Sequence, residues 1–267
     1  MAPAMMAGGL TFGVFGDCRP PNVGETSQYP TAIASNIFSL LQQHGAQFVV
    51  GTGDYMFADT AADVTAQVAL LQQAEANFKG PIYHAMGNHE CTGATASNCP
   101  NGNETPNVQA FMSKLVPQGT QTPYYRVDVA TPNGKAKFLF VAGNAWSTAQ
   151  QTWLQAQLAD ATTYTFIVRH VPPGTSAPGV TESEALVTAA PFTLELLGHF
   201  HEYKVLDPKH VISGNGGAAS RSGEVAGFGF LLVEQEADGT LAATEYDQTT
   251  GDAIDAWKIS PTGERVN

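Results

Sequence analysis

A chain of 267 residues, 43% of them hydrophobic, is long enough to bury one large core or two small ones. A formal net charge of -12, only 13% charged residues and no basic cluster argue against a surface that grips nucleic acid or an anionic membrane. No apolar stretch approaches the roughly 20 residues of a spanning helix, and the start, MAPAMMAGG, lacks the basic and long apolar regions of an intact signal peptide. Residues 1–9 are therefore expected to be a disordered or trimmed N-terminus, and residues 10–267 a single domain.

In chain order, LTFGVFGD reads as a buried strand and TAIASNIFSLLQQHG as a helix ending at Gly45. AQFVVGTGD is a second buried strand, TAADVTAQVALLQQAEANF a helix capped by Thr60, and IYHAMGN a third strand. This alternation predicts parallel strands joined by helical crossovers. A Gly/Asn/Pro-rich loop spans residues 91–107, and then YYRVDVA and KAKFLFVAG flank TPNG, a hairpin signal. AQQTWLQAQLADA reads as a helix, YTFIVRH as a strand and PPGTSAPGVTESEA as a loop. The tail is β-rich: FTLELLGHFH, EYKVLDP, HVISG, GFGFLLVEQEADGTLAATEYDQ and DAIDAWKIS. The prediction is one α/β domain containing two sheets.

Cys91 and Cys99 share one polar loop, ECTGATASNC, at a spacing that fits no common zinc knuckle. A local disulfide is the expectation, and with it an exported protein, periplasmic or secreted. The alternative is two unpaired thiols in that loop. Cys18 stands alone beside Asp17.

The ends of the apolar runs carry the chemistry. They read Gly16-Asp17, Gly53-Asp54, Gly87-Asn88-His89-Glu90, Arg169-His170 and Gly198-His199-Phe200-His201, and hold four of the seven histidines. Five runs thus deliver metal-ligating side chains to the carboxyl ends of strands, where open α/β sheets form sites. On an extended backbone His199 and His201 would share one face, with Phe200 opposite. Each piece alone is weak: Gly-Asp after a strand is usually a turn, and His89-Glu90 is no zincin motif because position 93 is Gly. The ordered set is hard to explain as turns.

The series GD…GDY…GNHE…H…GHFH, from Asp17 to His201, with VISGNGG after it, resembles the calcineurin-like metallophosphoesterases, which include purple acid phosphatases and phosphodiesterases. The resemblance implies an α/β (α+β) fold, a four-layer αββα sandwich of two mixed sheets flanked by helices. It also implies one or two divalent or trivalent metal ions, Mn, Fe or Zn, at one edge. By position, Asp54 would bridge, Asn88, His170 and His199 would complete one site, and Asp17 and His201 would belong to the other. Such a pair of ions clamps a phosphate and lowers the pKa of a bound water. His89 would be the general acid toward the leaving group, with Glu90 orienting it. The implied activity is hydrolysis of a small phosphoric mono- or diester by a metal-activated hydroxide. The other class is a non-catalytic or weakly active relative that binds metal or phosphate and acts through a partner.

Two positions depart from the family pattern. Arg19 stands where the first motif carries His, and a guanidinium cannot ligate a cation. Phe57 stands where purple acid phosphatases carry a ligating Tyr. The first site is left with Asp17, Asp54 and His201, so it is filled by water, weak or empty. Arg19 is read as binding the substrate phosphate, against the alternative of a structural pair with Asp59 or Glu90.

Overall fold

The computed structural model describes residues 9–92, 99, 105–175, 177 and 179–266. The expected trimmed segment lies outside the described residues except for Gly9. Two sheets form. The first holds β1 (Thr11–Phe15), β2 (Phe48–Gly51), β3 (Ile82–His84), β10 (Gly229–Gln235), β11 (Leu241–Asp247), β12 (Ala253–Ile259) and β13 (Arg265–Val266). Its order is β13-β12-β11-β10-β1-β2-β3. The second, ordered β4-β5-β6-β7-β9-β8, holds β4 (Tyr125–Thr131), β5 (Gly134–Val141), β6 (Tyr164–Arg169), β7 (Leu194–Leu197), β8 (Tyr203–Asp207) and β9 (His210–Ser213).

β1, β2 and β3 pair in parallel, as do β5, β6, β7 and β9. The parallel strands in the first half need crossovers, and α1 (Thr31–Gln43) and α2 (Ala61–Glu75) supply them. The Thr60 hydroxyl caps α2 by accepting from the Asp63 amide at 3.2 Å, as the sequence predicts. The TPNG hairpin also forms, closing β4 on β5 with Thr131 opposite Gly134.

Alternation along the strands sorts side chains into layers. Phe12, Val14, Phe48 and Val50 meet Phe138, Phe140, Phe166, Leu194 and Leu196 between the sheets. Phe15 and Val49 face the other way and pack on Ile37, Phe38 and Leu41 of α1 and Val64 and Leu71 of α2. A third cluster buries Leu139, Val141 and Ile167 under Leu154 and Leu158 of α5 (Thr148–Ala159) and Val187 of α6 (Val180–Thr188). The result is the four-layer sandwich expected, helices outside and two mixed sheets within. Among the described residues, no helix is long and apolar enough to cross a membrane.

Several segments differ from the sequence reading; the longest is the one after His170. The stretch after His170 ends in α6 rather than continuing as loop. Gly179, at φ 77°, makes the left-handed entry, and Glu182 accepts its amide at 3.1 Å. The buried Arg169 then donates to the Val180 carbonyl and the Ser183 hydroxyl, at 2.9 and 2.7 Å. A nine-residue helix with a weak apolar pattern is thus held by a long-range guanidinium contact. The other additions are short: α3 (Asn88–Thr92), α4 (Pro106–Ala110), the π-helical turn Phe111–Leu115, the 3-10 turn Gly143–Ala145 and the two-residue β13. Cys91 and Cys99 form a disulfide, as expected; Cys91 lies in α3 (Asn88–Thr92).

Candidate metal centre

β1, β2 and β3 of one sheet and β6 and β7 of the other deliver all the predicted side chains to one edge of the sandwich. The price of convergence appears in the backbone: Asp17, Asp54 and His199 have φ of 55°, 58° and 74°. Left-handed conformations in non-glycine residues cost of order 1–3 kcal/mol each and persist only where neighbours enforce them. The Asp17 and Cys18 amides donate to the Gly53 and Asp54 carbonyls, joining the first two loops. Gly53, at φ 115°, has no room for a side chain: a Cβ would stand 2.6 Å from His170 Nδ1.

The second-site residues converge. His170 Nε2 lies 3.3 Å from Asp54 Oδ2. Asn88 Oδ1 lies 3.2 Å from His170 Nε2 and 3.0 Å from His199 Nδ1. Ligand atoms of Asp54, His170 and His199 all fall within 4.8 Å of one another. His170 Nδ1 donates to the Thr52 carbonyl at 2.9 Å, which leaves Nε2 facing the centre. Asp54 Oδ1 accepts the His89 amide at 3.0 Å, while Oδ2 is buried with no hydrogen-bond partner. Burial opposes charge on His170, yet Asp54 and Asp17 outweigh it and push the imidazole up to about 9. The centre therefore seeks positive charge. Burial and the neighbouring His170 push His199 down to about 3, the neutral form that ligates. Oxygen and imidazole donors around an orphaned buried carboxylate oxygen fit a divalent or trivalent ion.

The first-site residues are placed differently. Asp17 Oδ2 accepts the His199 amide at 2.9 Å, and Oδ1 is buried without a hydrogen-bond partner, 3.7 Å from His201 Nε2. His201 Nδ1 bonds the Ala219 carbonyl at 2.6 Å, which directs Nε2 inward. Two guanidinium groups contest that nitrogen: Arg19 Nη2 at 3.5 Å and Arg221 Nη2 at 3.1 Å. Arg19 Nε lies 3.9 Å from Asp54 Oδ2; among the described residues neither Asp59 nor Glu90 pairs with Arg19. Burial, with both arginines adding, holds His201 down to about 4. The extended geometry expected for His199-Phe200-His201 is not observed. β7 stops at Leu197, and tight turns follow, with the Phe200 amide donating to the Gly198 carbonyl at 2.9 Å. Both imidazoles still reach the centre, by a kink rather than by pleat.

His89 Nε2 lies 3.7 Å from Asp54 Oδ2, and the ring meets Phe57 edge-on at 4.6 Å. Phe57, in the position of the family's Tyr, offers no ligand atom; it supports His89 on one side and carries Arg19 over its face at 4.6 Å. Tyr55 turns away, its hydroxyl accepting the Gly53 amide at 2.9 Å. Glu90 corrects an expectation. Its Oε2 accepts the Asp54 and Gly87 amides, at 2.8 and 2.9 Å, and its Oε1 the Tyr55 amide at 2.8 Å. It clamps the loops after β2 and β3 instead of orienting the His89 ring. Burial, then Asp54, push its carboxyl up to about 7.

Arg221 is the residue that sequence reading misses. It sits in a Gly/Ser-rich loop with no motif; the only signal is a cation in a chain with just 12 Lys and Arg. A second carboxylate–imidazole group, Glu184, Glu195 and His210, lies apart from this edge. There Arg169 Nη2, at 2.5 and 2.9 Å from the two glutamates, already supplies the cation.

A sequence profile of the calcineurin-like phosphoesterases matches residues 10–203. No curated protein sequence matches the chain. Among solved structures, the chain is similar to a purple acid phosphatase from yellow lupin (Lupinus luteus), with 17% identity and a TM-score of 0.68 over 94% of this chain. It covers 53% of the lupin chain, about half its length. It is also similar to a dimetal phosphatase from Danio rerio, with 14% identity and a TM-score of 0.65, over 95% of this chain and 99% of that one. At such identities the likeness is one of fold. The profile match spans most of the sequence and includes every candidate ligand from Asp17 to His201, so the chain belongs to the calcineurin-like phosphoesterase family.

Proposed function

We propose that this protein is a metal-dependent hydrolase of phosphoric esters, with the metal held by Asp54, Asn88, His170 and His199. The observation that carries this reading is the clustering of Asn88, His170 and His199 around a buried Asp54 oxygen that has no hydrogen-bond partner. When bound, the metal polarises the phosphoryl group and supplies a nucleophile at neutral pH. The protein's own groups do the rest. His170 is fixed by Thr52 through Nδ1, so its Nε2 already faces the centre and has only to give up its proton to ligate. His89 lies beside Asp54 with its ring braced by Phe57, and donates a proton or hydrogen bond to the leaving oxygen. The disulfide between Cys91 and Cys99 supports an oxidising, exported setting.

The test is turnover of 4-nitrophenyl phosphate and bis(4-nitrophenyl) phosphate by metal-stripped protein, and by protein reloaded with Mn, Zn or Fe. Activity is expected only after reloading. Asp54→Ala should abolish both metal retention and turnover. Full activity in the stripped protein overturns the reading.

A further inference from the structure

Two guanidinium groups lie against one nitrogen. Arg19 and Arg221 both point Nη2 at His201 Nε2, at 3.5 and 3.1 Å. One imidazole lone pair can serve one of them well, and the two like charges repel. Arg221 has no ion-pair partner among the described residues, and Arg19 reaches a carboxylate only through Nε at 3.9 Å. Arg19 Nε is itself buried without a hydrogen-bond partner. Arg19 is held in place, its guanidinium over Phe57 and its Nη1 donating to the Pro20 carbonyl at 3.2 Å. Asp17 and Asp54 make the centre itself negative, but among the described residues Arg19 meets a carboxylate only through Nε and Arg221 meets none, so the remaining guanidinium donors at the rim are left for an anion. They also lie against His201 and Asp54, two of the three ligands left to the first metal, and a cation there works against a second.

We propose that Arg19 and Arg221 form a two-guanidinium clamp that replaces the first metal ion and selects a terminal phosphate, a phosphomonoester over a diester. The inference rests on the hydrolase reading above for the location of the phosphoryl group. Oxygen counting gives the selectivity. One metal and two guanidinium groups ask for three non-bridging oxygens. A monoester offers three; a diester offers two and leaves one charged donor unmatched. A dianion also gains more from two fixed positive charges than a monoanion does.

Equilibrium binding tests this without turnover. Manganese content per chain is measured after dialysis, and calorimetry then follows inorganic phosphate and dimethyl phosphate binding to the Mn-loaded protein. We expect one tight Mn per chain and phosphate bound at least ~10-fold tighter than dimethyl phosphate, the ratio a single charged hydrogen bond supplies. Arg221→Gln and Arg19→Gln should each weaken phosphate about 10-fold and shrink that preference. Arg19→Lys should also weaken it, because the fork is lost while the charge stays. Arg221 is exposed, so its variant keeps the test alive if the buried Arg19 does not tolerate replacement. Two equally tight Mn ions in the wild type overturn the proposal. So does phosphate binding no tighter than dimethyl phosphate, or left unchanged by Arg221→Gln. A chain that binds phosphate through the arginines yet hydrolyses nothing would sink the proposed function and leave the clamp standing.

Discussion

His89 and Asp54 share one small volume but divide the work. Asp54 spends one oxygen on the His89 amide and keeps the other for the centre. His89 lies near that oxygen but is outside the group whose ligand atoms cluster. Removing it should therefore leave metal content close to wild type. His89→Ala should lower kcat by about 10²–10⁴ on substrates with poor leaving groups, and much less on 4-nitrophenyl esters, whose leaving group needs no proton. A kinetic series over leaving-group pKa checks this. Equal losses across the series would mean that His89 positions the substrate instead of protonating it.

At the scale of elements, the site depends on loops that are tied to one another. Glu90, in α3, accepts three amides from the loops that follow β2 and β3. Those loops carry Asp54 and lead into Asn88, the first residue of α3. Glu90→Ala would leave three buried donors unsatisfied, at about 1–3 kcal/mol each before relaxation. We expect a large loss of stability in chemical denaturation. Metal affinity should fall further than in His89→Ala, since the ligand-bearing loops are freed. Glu90→Gln retains a carbonyl acceptor and should recover part of both. Metal affinity unchanged in a folded Glu90→Ala protein would show that the loops hold themselves. On the other sheet Arg169 plays a comparable part, joining the end of β6 to α6 and so anchoring both ends of the segment after His170.

The whole molecule carries a pH dependence that comes from outside the candidate ligand set. Glu245 of β11 is fully buried; Asn215 Nδ2 donates to Oε1 at 2.7 Å, and Oε2 has no partner. Burial pushes its carboxyl up to about 8 from the ordinary 4.5. The folded state then holds a proton that the unfolded chain releases above about 4.5. The corresponding stability is full below that pH and is lost as the pH rises through 8, at no more than about 1.4 kcal/mol per pH unit. Glu245→Gln removes the titration. Denaturation of metal-free wild type and variant at pH 5, 6.5 and 8 should show the variant gaining on the wild type as pH rises. Parallel curves would mean that Glu245 is already ionised in the folded protein across this range.

The sequence by itself determined the strands, the crossover helices and the order of the candidate ligands. These are local matters: apolar runs, a Thr cap, turn residues and side-chain types at strand ends. Strand termini in a parallel sheet share an edge, which singled out the five clusters, and the family resemblance narrowed them to Asp17, Asp54, Asn88, His170, His199 and His201. The pairing of Cys91 with Cys99 was legible because the two are close in sequence. Only the tertiary structure decided the rest. Glu90 was read as orienting His89 on the strength of the family resemblance; the fold offered its oxygens unpaired backbone amides instead. His199 and His201 left the pleat because strained turns follow β7. α6 formed because Arg169 reaches across to it. Arg221 entered the site through a loop with no pattern, next to a histidine 20 residues earlier in the chain. Each is a contact between segments that carry no mutual signal in one dimension, decided by which buried donors and charges must find partners once the layers have closed.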